Sequence, residues 1–482
     1  MYQLSAISLA HLYGLLQPIT VPHTSPKANF TNWSRTFACS PLAIFEPETE
    51  YHCELILELA RREGRVVRAV GVGHSPSDLA CTTGYMLRTT KLDRLLEIHA
   101  DKRYVIAQAG ITLDALHAEL ANHGLAMINV GSISDQTLGG IVTTATHGTG
   151  INYGVIPTHV MALSLLLADG SRVFCSRQER PDLFMASICG LGSTGLILTV
   201  TLEVEPAFRL KEVQQSIQFH ECVQILDSLV TASEHVRFWW FPAADTMRVS
   251  SADRTVEPAK PAGSWLWHSF FGFHVVQFLL FVARYILSLN IFIGRFAAWL
   301  VSTKVTAIDE SFRIFNLECR YPQHTTEWAI PYENTKACLY DLHDWITREL
   351  SDPKGLRPHF PIEVRFSDGD DIWLSPSNGQ KTCWIGIVQF KPYGCEVPYK
   401  TLFERFEAIL YRHSGRPHWA KAHPLRPEAL RRMYPQFDDF TRVLQAVDPR
   451  GMFRNEYVER HIFGKTGPEY DNRVFKRYAP SR

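Results

Sequence analysis

The amino-acid sequence predicts an α+β protein built from two units, each of which mixes strands with helices. Strand-like and helical segments alternate over residues 43–204, and a second such series begins near Phe208. The 482 residues are enough to form two or three hydrophobic cores. Hydrophobic residues make up 46% of the chain and charged residues 20%, which is typical of a globular protein rather than a disordered one.

The first unit is predicted from short-range patterns. Apolar residues at helical spacing indicate a helix over residues 53–63 that ends at Gly64, and another over 112–123 that ends at Gly124. Asp169 and Gly170 separate two apolar runs and predict a β-hairpin. Strands are also expected at 43–45, 65–70, 104–107 and 195–204, with a short helix at 182–189.

The second unit is predicted from alternating apolar residues. Residues 213–217 and 235–240 are expected to be strands with a helix between them. Further strands are expected at 320–321, 327–330, 362–366 and 383–390, and helices at 332–350 and 399–411. Strands covered by helices predict a cap with a substrate site beneath it.

Composition narrows the choice of partners. Lys plus Arg and Asp plus Glu each number 49, so no overall positive field points to nucleic acid. The ten cysteines lie apart, without a Cys-x-x-Cys pair or a Cys/His cluster, so we expect a reduced compartment and no metal. Residues 1–20 are apolar but lack the basic start of a signal peptide. We assign residues 1–29 to an N-terminal lead, either a short targeting segment or an unstructured one.

Two glycine-rich loops are the most informative feature of the first unit. A predicted strand leads into Gly71, Gly73 and His74, and residues 131–140 form a second loop of glycine and hydroxyl side chains. Glycine lets backbone N–H groups turn toward an anion. The spacing differs from the Gly-x-Gly-x-x-Gly pattern that opens a helix, and one such loop alone is often only a tight turn. Two loops together favour the diphosphate of a dinucleotide.

Five short motifs make the chain resemble a known family. They are residues 71–78 (GVGHSPSD), 108–111 (QAGI), 131–136 (GSISDQ), 147–150 (HGTG) and 418–421 (HWAK). The chain thereby resembles the aldonolactone oxidases of the vanillyl-alcohol-oxidase-type FAD superfamily, from about residue 30 almost to the C terminus. The resemblance implies a PCMH-type FAD-binding domain over residues 30–207 and a substrate domain, or cap, over residues 208–482.

The resemblance also implies how FAD is bound. In this family the histidine that matches His74 is bonded covalently to the flavin, so we expect FAD to be attached through His74. Gly131 matches a glycine that leaves the flavin open to dioxygen, whereas the family's plant dehydrogenases carry alanine there and lack the histidine. The other residues expected to bind FAD are Gly71, Val72, Gly73, Ser75, Gly131, Ser132, Asp135, Gln136, Gly139, Gly140, Thr143, His147, Gly148 and Ile197.

Four residues of the cap are the catalytic candidates. Glu363 and Arg365 are two positions apart on a predicted strand, so their side chains share one face. By resemblance, Arg365 stabilises negative charge on the reduced flavin and Glu363 binds substrate hydroxyls. Lys421 is expected to hold the substrate or assist proton removal. His418 is a further candidate, with a purely structural histidine as the alternative.

The resemblance implies oxidation of an aldono-1,4-lactone by FAD, with dioxygen as the electron acceptor. The expected substrate is D-arabinono-1,4-lactone, and L-gulono-1,4-lactone is the alternative. The expected products are hydrogen peroxide and an ascorbate-type ene-diol, which is D-erythroascorbate or L-ascorbate. Two other classes remain open: a flavin-dependent reductase with a nicotinamide donor, and a membrane-tethered flavin-binding protein without activity.

An apolar insert over residues 263–301 interrupts the cap. Residues 265–283 contain no charged side chain and approach the length that spans a bilayer, but the next run, 285–294, is too short. The insert contains two charged residues near these apolar runs, Arg284 and Arg295. Arginine at such intervals is typical of helices that lie at a membrane surface or re-enter the membrane. A buried pair of core helices is the alternative. The family resemblance implies membrane association, and we expect the mitochondrial outer membrane, with the endoplasmic reticulum as the alternative.

Overall fold

The computed structural model describes residues 2–260, 272–316 and 321–467. A three-stranded and a five-stranded sheet form most of the first unit. Its helices and strands are α1 (Tyr2–Ser5), α2 (Leu9–Leu16), β1 (Phe30–Thr31), β2 (Ala38–Cys39), β3 (Ala43–Phe45), α3 (Glu50–Glu63), β4 (Val67–Val70), β5 (Tyr85–Arg88), β6 (Leu95–His99), β7 (Tyr104–Gln108), α4 (Leu113–Asn122), β8 (Leu125–Ala126), α5 (Leu138–Thr143), β9 (Val160–Leu166), β10 (Arg172–Ser176), α6 (Pro181–Ser187), β11 (Leu196–Glu203) and β12 (Glu205–Pro206).

The three-stranded sheet of this unit is parallel, in the order β3-β5-β4, and the five-stranded one is antiparallel, in the order β10-β9-β11-β7-β6. The pairs β1-β2 and β12-β8 add two sheets of two strands each. Helix α3 connects two strands of the parallel sheet. The Thr49 side chain accepts a hydrogen bond from the His52 N–H at its start, and Gly64 ends it at φ 62°, a conformation that favours glycine. The predicted helix and its C-cap are therefore confirmed.

The N-terminal residues contribute to the core of the first unit. Leu12 and Leu16 of α2 and the following Ile19 are buried, and they pack with Leu55 and Leu59 of α3. The segment that we assigned to a lead therefore covers the outer face of α3.

The second unit is built on one eight-stranded sheet. Its elements are β13 (Arg209–Gln218), α7 (Phe219–Gln224), α8 (Leu226–Val230), β14 (His235–Phe241), β15 (Thr246–Thr255), α9 (Val276–Ala283), α10 (Leu289–Leu300), β16 (Val305–Glu310), α11 (Ser311–Phe315), β17 (Gln323–Pro331), α12 (Thr335–Ser351), β18 (Ile362–Ser367), β19 (Thr382–Phe390), α13 (Lys400–Arg412), β20 (Arg416–Pro417), α14 (Pro427–Met433), α15 (Phe437–Val447) and α16 (Glu456–His461). The α+β class is confirmed.

The strands of this sheet follow the order β16-β13-β15-β14-β18-β19-β17-β20, and each neighbouring pair is antiparallel. Apolar side chains of β14, β18 and β19 pack against α7, α12 and α13 in one core. The predicted strand at 320–321 is wrong at Tyr321, which lies in a bend before β17. The other residue of that prediction, Arg320, lies outside the described residues.

The last helices of the chain return to the first unit. Arg460 of α16 donates two hydrogen bonds of 2.8 Å to the carboxylate of Asp78, and both side chains are buried. Asn455 donates to the backbone carbonyls of Leu79 and Cys81 at 2.8 and 2.9 Å. The segment after the cap sheet thereby closes over the loop that follows β4.

The described part of the apolar insert forms a helical hairpin of α9 and α10, while residues 263–271 lie outside the described residues. Leu280 and Ile293 face inward and pack on Phe241, Tyr321 and Phe360 of the cap. None of the helices in the described residues combines the length and apolar character needed to cross a membrane.

Candidate active site

The two predicted glycine-rich loops meet beside the first unit's sheets. A Cβ atom on Gly71 would lie 2.1 Å from Thr137 Oγ1, so this contact leaves no space for a side chain. Gly73 has φ 77°, which again favours glycine. In the described part of the chain, the backbone N–H groups from Gly71 to Ser75 and from Gly131 to Thr137 donate no hydrogen bond to another residue. Unpaired backbone donors on two loops that touch each other fit a diphosphate group.

His74 projects from the first loop and is largely buried. Its ring stacks on Trp33 with the centroids 5.3 Å apart, and Nε2 lies 3.9 Å from Asp135 Oδ2 in the second loop. Burial lowers the pKa of His74, Asp135 partly opposes this effect, and Lys421 adds to it. Nδ1 is buried and has no hydrogen-bond partner among the described residues. A neutral ring with an unpaired nitrogen has the chemistry needed for a bond to a flavin.

A buried charged cluster lies where the second loop meets the cap sheet. Arg365 Nη2 lies 2.8 Å from Glu327 Oε1, and Arg365 Nε lies 3.5 Å from Glu363 Oε2. Lys421 Nζ lies 3.6 Å from Glu327 Oε2. Arg365 Nη1 is 3.4 Å from Ser132 Oγ, so the cluster touches the second glycine-rich loop. The structure therefore brings Glu363, Arg365 and Lys421 together, and it adds Glu327.

The charges of this cluster depend on one another. Burial alone would raise the pKa of Glu327, but Arg365, His147 and Lys421 hold it well below its usual value. Burial likewise opposes the charge of Arg365, yet Glu363 and Glu327 raise its pKa. Glu327 is therefore a carboxylate and Arg365 a guanidinium at neutral pH. Their charges offset each other in a buried site.

His147 links the cluster to the first unit. Its ring stacks on Trp384 with centroids 3.7 Å apart, Nδ1 lies 3.0 Å from the Gly148 carbonyl, and Nε2 lies 3.2 Å from Glu327 Oε1. Burial lowers the pKa of His147 to about 4, and Arg365 contributes to the shift. A carbonyl and a carboxylate can only accept, so the single proton of the neutral ring can be donated to Gly148 from Nδ1 or to Glu327 from Nε2, but not to both. Arg365 Nη2 lies 3.5 Å from Nε2.

His418 has a different position. It is buried, and burial together with Lys421 lowers its pKa well below the usual value. Nδ1 accepts a hydrogen bond from the Ala420 N–H, and the His418 N–H donates to the Glu327 carbonyl. These contacts fix the turn that carries Lys421. Three of these residues have the spacing of metal ligands, namely His147, Glu327 and His418. The Glu327 carboxylate is already paired with Arg365 and Lys421, however, and these two positive charges would repel a metal cation.

Several residues expected to bind FAD lie outside the charged cluster. Thr143 hydrogen-bonds the Gly139 carbonyl of its own helix, and Gly139 approaches Ala109 so closely that a Cβ atom would be 3.0 Å from the Ala109 Cβ. Ile197 is buried in the main core of the first unit. The other residues lie in or beside the two loops or the segment around His147, and they are Val72, Ser75, Gln136, Gly140 and Gly148.

The sequence interpretation missed two residues of the site and one glycine-rich loop that contacts α5. Glu327 was assigned only to a strand, although an acid next to Trp328, Ala329 and Ile330 in a buried strand was an available signal. Trp384, which stacks on His147, had no comparable signal because tryptophan is common in cores. Residues 190–195 form a third glycine-rich loop, with Gly192 at φ 65° and Gly195 at φ 159°.

Similarity to known proteins covers the same two units. The family model for D-arabinono-1,4-lactone oxidase matches residues 200–461, and that for an FAD binding domain matches residues 41–176. L-gulonolactone oxidase of Scyliorhinus torazame is 40% identical over 435 residues, which are 90% of this chain and 98% of that protein. The Mus musculus enzyme of the same name is 40% identical over 442 residues, 92% and 100% respectively. D-arabinono-1,4-lactone oxidase of Eremothecium gossypii is 31% identical over 441 residues, 81% and 83%.

Solved structures share the fold at low sequence identity. A solvent-stable cholesterol oxidase superposes with a TM-score of 0.74 at 22% identity, covering 90% of this chain and 98% of that one. Cholesterol oxidase from Brevibacterium sterolicum has a TM-score of 0.76 at 16% identity, covering 92% and 99%. The two matching family models and the relatives that align over most of the chain agree with the two loops and the charged cluster: the chain belongs to the D-arabinono-1,4-lactone oxidase family, and it carries an FAD-binding domain.

Proposed function

We propose that this FAD-dependent oxidoreductase oxidises an aldono-1,4-lactone at the hydroxyl group beside the lactone carbonyl, with dioxygen as the acceptor. The products are an ascorbate-type ene-diol and hydrogen peroxide. One observation carries the proposal: Glu363 Oε1, Arg365 Nε and His74 Nδ1 are buried polar atoms without hydrogen-bond partners among the described residues. Such atoms are rare unless a ligand completes them. A flavin at His74 and a polyhydroxyl substrate at Glu363 supply the missing partners.

The bound FAD supplies the acceptor for the hydride that leaves the substrate carbon. The protein's part is to bind, orient and balance charge. Glu363 Oε1 accepts a hydrogen bond from a substrate hydroxyl, and Arg365 places positive charge at the same end of the site. Lys421 has a side chain about one-fifth exposed, so its ammonium group can reach a substrate oxygen while Glu327 holds it from behind.

Two lactones are candidates for the substrate. L-gulono-1,4-lactone is favoured by the 40% identity to L-gulonolactone oxidases, which extends over about nine-tenths of this chain. D-arabinono-1,4-lactone is favoured by the family model that matches residues 200–461 and by fungal relatives at 31% identity. The two molecules differ in size beyond the lactone ring, so the cap side chains that contact the tail decide between them.

The test uses the purified full chain and measures lactone-dependent hydrogen peroxide. Turnover divided by the Michaelis constant is compared for L-gulono-, L-galactono- and D-arabinono-1,4-lactone, with a matching open-chain sugar alcohol as a control. We expect activity with a lactone and loss of at least 100-fold in Glu363→Gln, because the substrate hydroxyl loses its charged acceptor. Absence of peroxide with every lactone, from a protein that contains FAD, would refute the proposal.

We also propose that the α9–α10 hairpin rests on a membrane surface. Its outward side exposes Phe278 (56%), Tyr285 (75%), Phe292 (58%) and Trp299 (60%), an unusually dense group of large apolar side chains. The helices have eight and twelve residues, about 12 and 18 Å at the usual rise, which suits a surface location. The exposed Arg284 can extend toward lipid headgroups.

Vesicle sedimentation tests this second proposal. We expect the protein to sediment with phosphatidylcholine–phosphatidylserine vesicles and the combined Phe278→Ser, Phe292→Ser and Trp299→Ser variant to stay in solution with its lactone activity. Phe174→Ser is the matched control, because Phe174 is 47% exposed on β10 of the first unit. Equal sedimentation of both variants would contradict the proposal. Cell fractionation then distinguishes the mitochondrial outer membrane, which we propose first, from the endoplasmic reticulum.

A further inference from the structure

A second cluster of ligand-type side chains lies on the cap, outside the active site. His220 is on α7, Asp245 is in the turn between β14 and β15, and His343 is on α12. One ligand atom from each residue lies within 4.8 Å of the others. Within this group, His343 Nε2 is 3.0 Å from Asp245 Oδ1, and the two imidazole rings have centroids 4.9 Å apart.

The backbone holds these three residues in place. The Phe219 N–H donates to the Asp245 carbonyl at 3.0 Å, which ties the helix of His220 to the turn of Asp245. Asp245 has φ 52° and closes the turn through a bond from its N–H to the Pro242 carbonyl. The Phe219 ring stacks on His343 with centroids 4.3 Å apart, which fixes the plane of that imidazole. The fold therefore fixes the ring of His343 and the backbone of Asp245, and it places the exposed side chain of His220 within reach of both.

The other nitrogen of His343 also has the surroundings of a metal ligand. His343 Nδ1 is buried, makes no hydrogen bond with a described residue, and lies 3.7 Å from Asp344 Oδ1. Histidines that bind metals commonly direct their second nitrogen to a carboxylate. A simple ion pair between His343 and Asp245 would leave this second nitrogen without a role. His220 also packs against Tyr340, with ring centroids 5.8 Å apart.

Charge around the cluster favours a cation. Among the described residues, His343 is the partner in every ion pair formed by Asp245 and Asp344. Arg295 comes near the turn, but it donates to the Ala243 carbonyl at 3.0 Å and not to a carboxylate. No lysine or arginine of the described chain thus neutralises the two acids.

We propose that His220, Asp245 and His343 bind a divalent transition-metal ion of the zinc class. Two imidazoles and one carboxylate match the ligand preference of Zn²⁺, and water completes the tetrahedron. Ligand atoms around Zn²⁺ stand roughly 3.3 Å apart at bond lengths near 2.05 Å. The 3.0 Å contact is already in that range, and the exposed His220 closes the remaining separation by turning its side chain.

A metal here would connect the cap core to the base of the α9–α10 hairpin. The turn that carries Asp245 packs against α10, where a Cβ atom on Gly294 would lie 2.9 Å from the Ala243 Cβ. His343 lies on the long helix α12, which covers the cap sheet. Binding would therefore stabilise the folded cap, and the stabilisation would grow with the logarithm of the free zinc concentration once that concentration exceeds Kd.

The experiment uses the full-length, FAD-containing protein after treatment with a chelator. Titration calorimetry with ZnCl₂ is expected to show one equivalent bound, and thermal unfolding followed by circular dichroism is expected to shift upward with zinc. Asp245→Asn and His343→Gln should each weaken zinc affinity at least tenfold. Asp344→Asn should weaken it less than either, because Asp344 acts only through His343.

His413→Gln is the matched control. His413 Nε2 lies 2.9 Å from Asp341 Oδ2 at the same helix α12, but the pair belongs to no group of three ligands in the described residues. This variant should bind zinc like the parent protein. The proposal is overturned if zinc does not bind below 100 μM (roughly −5.5 kcal/mol). It is equally overturned if Asp245→Asn and His343→Gln leave stoichiometry and affinity unchanged, which would place the ion elsewhere.

Discussion

Glu327 is the buried anion on which Arg365, Lys421 and His147 converge, so Glu327→Gln is the most informative change. Removing one partner of a buried ion pair costs about 3–5 kcal/mol, because the other charge remains uncompensated. Glu363 still lies 3.5 Å from Arg365 Nε, and glutamine still offers one acceptor oxygen. We therefore expect the lower end, about 3 kcal/mol in the free energy of unfolding.

This loss can be converted into a melting temperature and a rate. At about 2.1 cal/mol/K per residue, 482 residues give an unfolding entropy of about 1 kcal/mol/K, so the midpoint should fall by about 3 °C. Lys421 and Arg365 lose the carboxylate that positions them. A displacement of about 1 Å in such groups costs on the order of 100-fold in kcat/KM. Activity should thus fall far more than stability.

Glu212→Gln is the matched control for the same sheet. Glu212 and Arg237 form a buried ion pair of 3.2 Å on β13 and β14. Arg237 lies opposite Arg365 in the register of β14 and β18, but among the described residues neither Glu212 nor Arg237 forms an ion pair with Glu327, Glu363 or Lys421. We expect a similar fall in melting temperature but kcat/KM within about twofold of the parent, since the catalytic groups keep their partners. Peroxide production and thermal unfolding are measured on both variants. If Glu327→Gln lowers kcat/KM no more than Glu212→Gln does, the positioning role of Glu327 is wrong.

The pH dependence of stability gives an independent check on Glu327. Its pKa in the folded protein is well below the usual value, so its contribution is fully present above the unfolded pKa of about 4.3. That contribution is lost as the pH falls through the folded pKa. The difference in melting temperature between the parent and Glu327→Gln should therefore be constant from pH 8 to 5 and shrink at lower pH. A difference that grows on acidification contradicts this assignment.

Three other changes test separate parts of the structure. His74→Ala should leave FAD extractable by acid from a folded protein, and flavin retained by the denatured chain would place the attachment elsewhere. Gly131→Ala adds a methyl group 3.1 Å from Thr146 Cγ2. If Gly131 leaves the flavin open to dioxygen, turnover with dioxygen should be slower and turnover with an artificial electron acceptor should change little. Equal slowing with both acceptors would oppose a role of Gly131 in oxygen access. Arg460→Met removes the charged partner that gives buried Asp78 two hydrogen bonds, and it should cost about 3 kcal/mol, with partial recovery in Arg460→Met/Asp78→Asn. A thermal midpoint unchanged by Arg460→Met would be inconsistent with a stabilising role of that pair.

Local signals in the sequence were sufficient to predict many of the helices and strands. Gly64 ends a helix because its left-handed backbone suits glycine, and Asp169-Gly170 closes a hairpin for a similar local reason. The prediction that the Glu363 and Arg365 side chains share one face also required only the geometry of a single strand. The family resemblance then identified Lys421 as a catalytic candidate. Its position beside Glu327 depends on a turn that is about 90 residues later in the sequence than Glu327.

Such local signals could not predict contacts between segments that are far apart in the sequence. Glu327 becomes a site residue only because β17 lies beside β19 and next to the turn of His418, an order set by the whole sheet. The strands β15 and β16 carry polar and charged residues at many positions, so their periodicity was weak. His220, Asp245 and His343 lie on three elements far apart in the sequence, which hides any spacing pattern.

The contact between Arg460 and Asp78 has a consequence for how the protein is made. Domains usually fold one after another as the chain leaves the ribosome, beginning at the N terminus. Here the loop around Asp78 lacks its buried partner, and the carbonyls of Leu79 and Cys81 lack Asn455, until almost all of the 482 residues have been synthesised. The loop that follows β4 is therefore completed only when the segment of Asn455 and Arg460 has folded back onto the first unit, and a chain cut before residue 455 lacks all four of these hydrogen bonds.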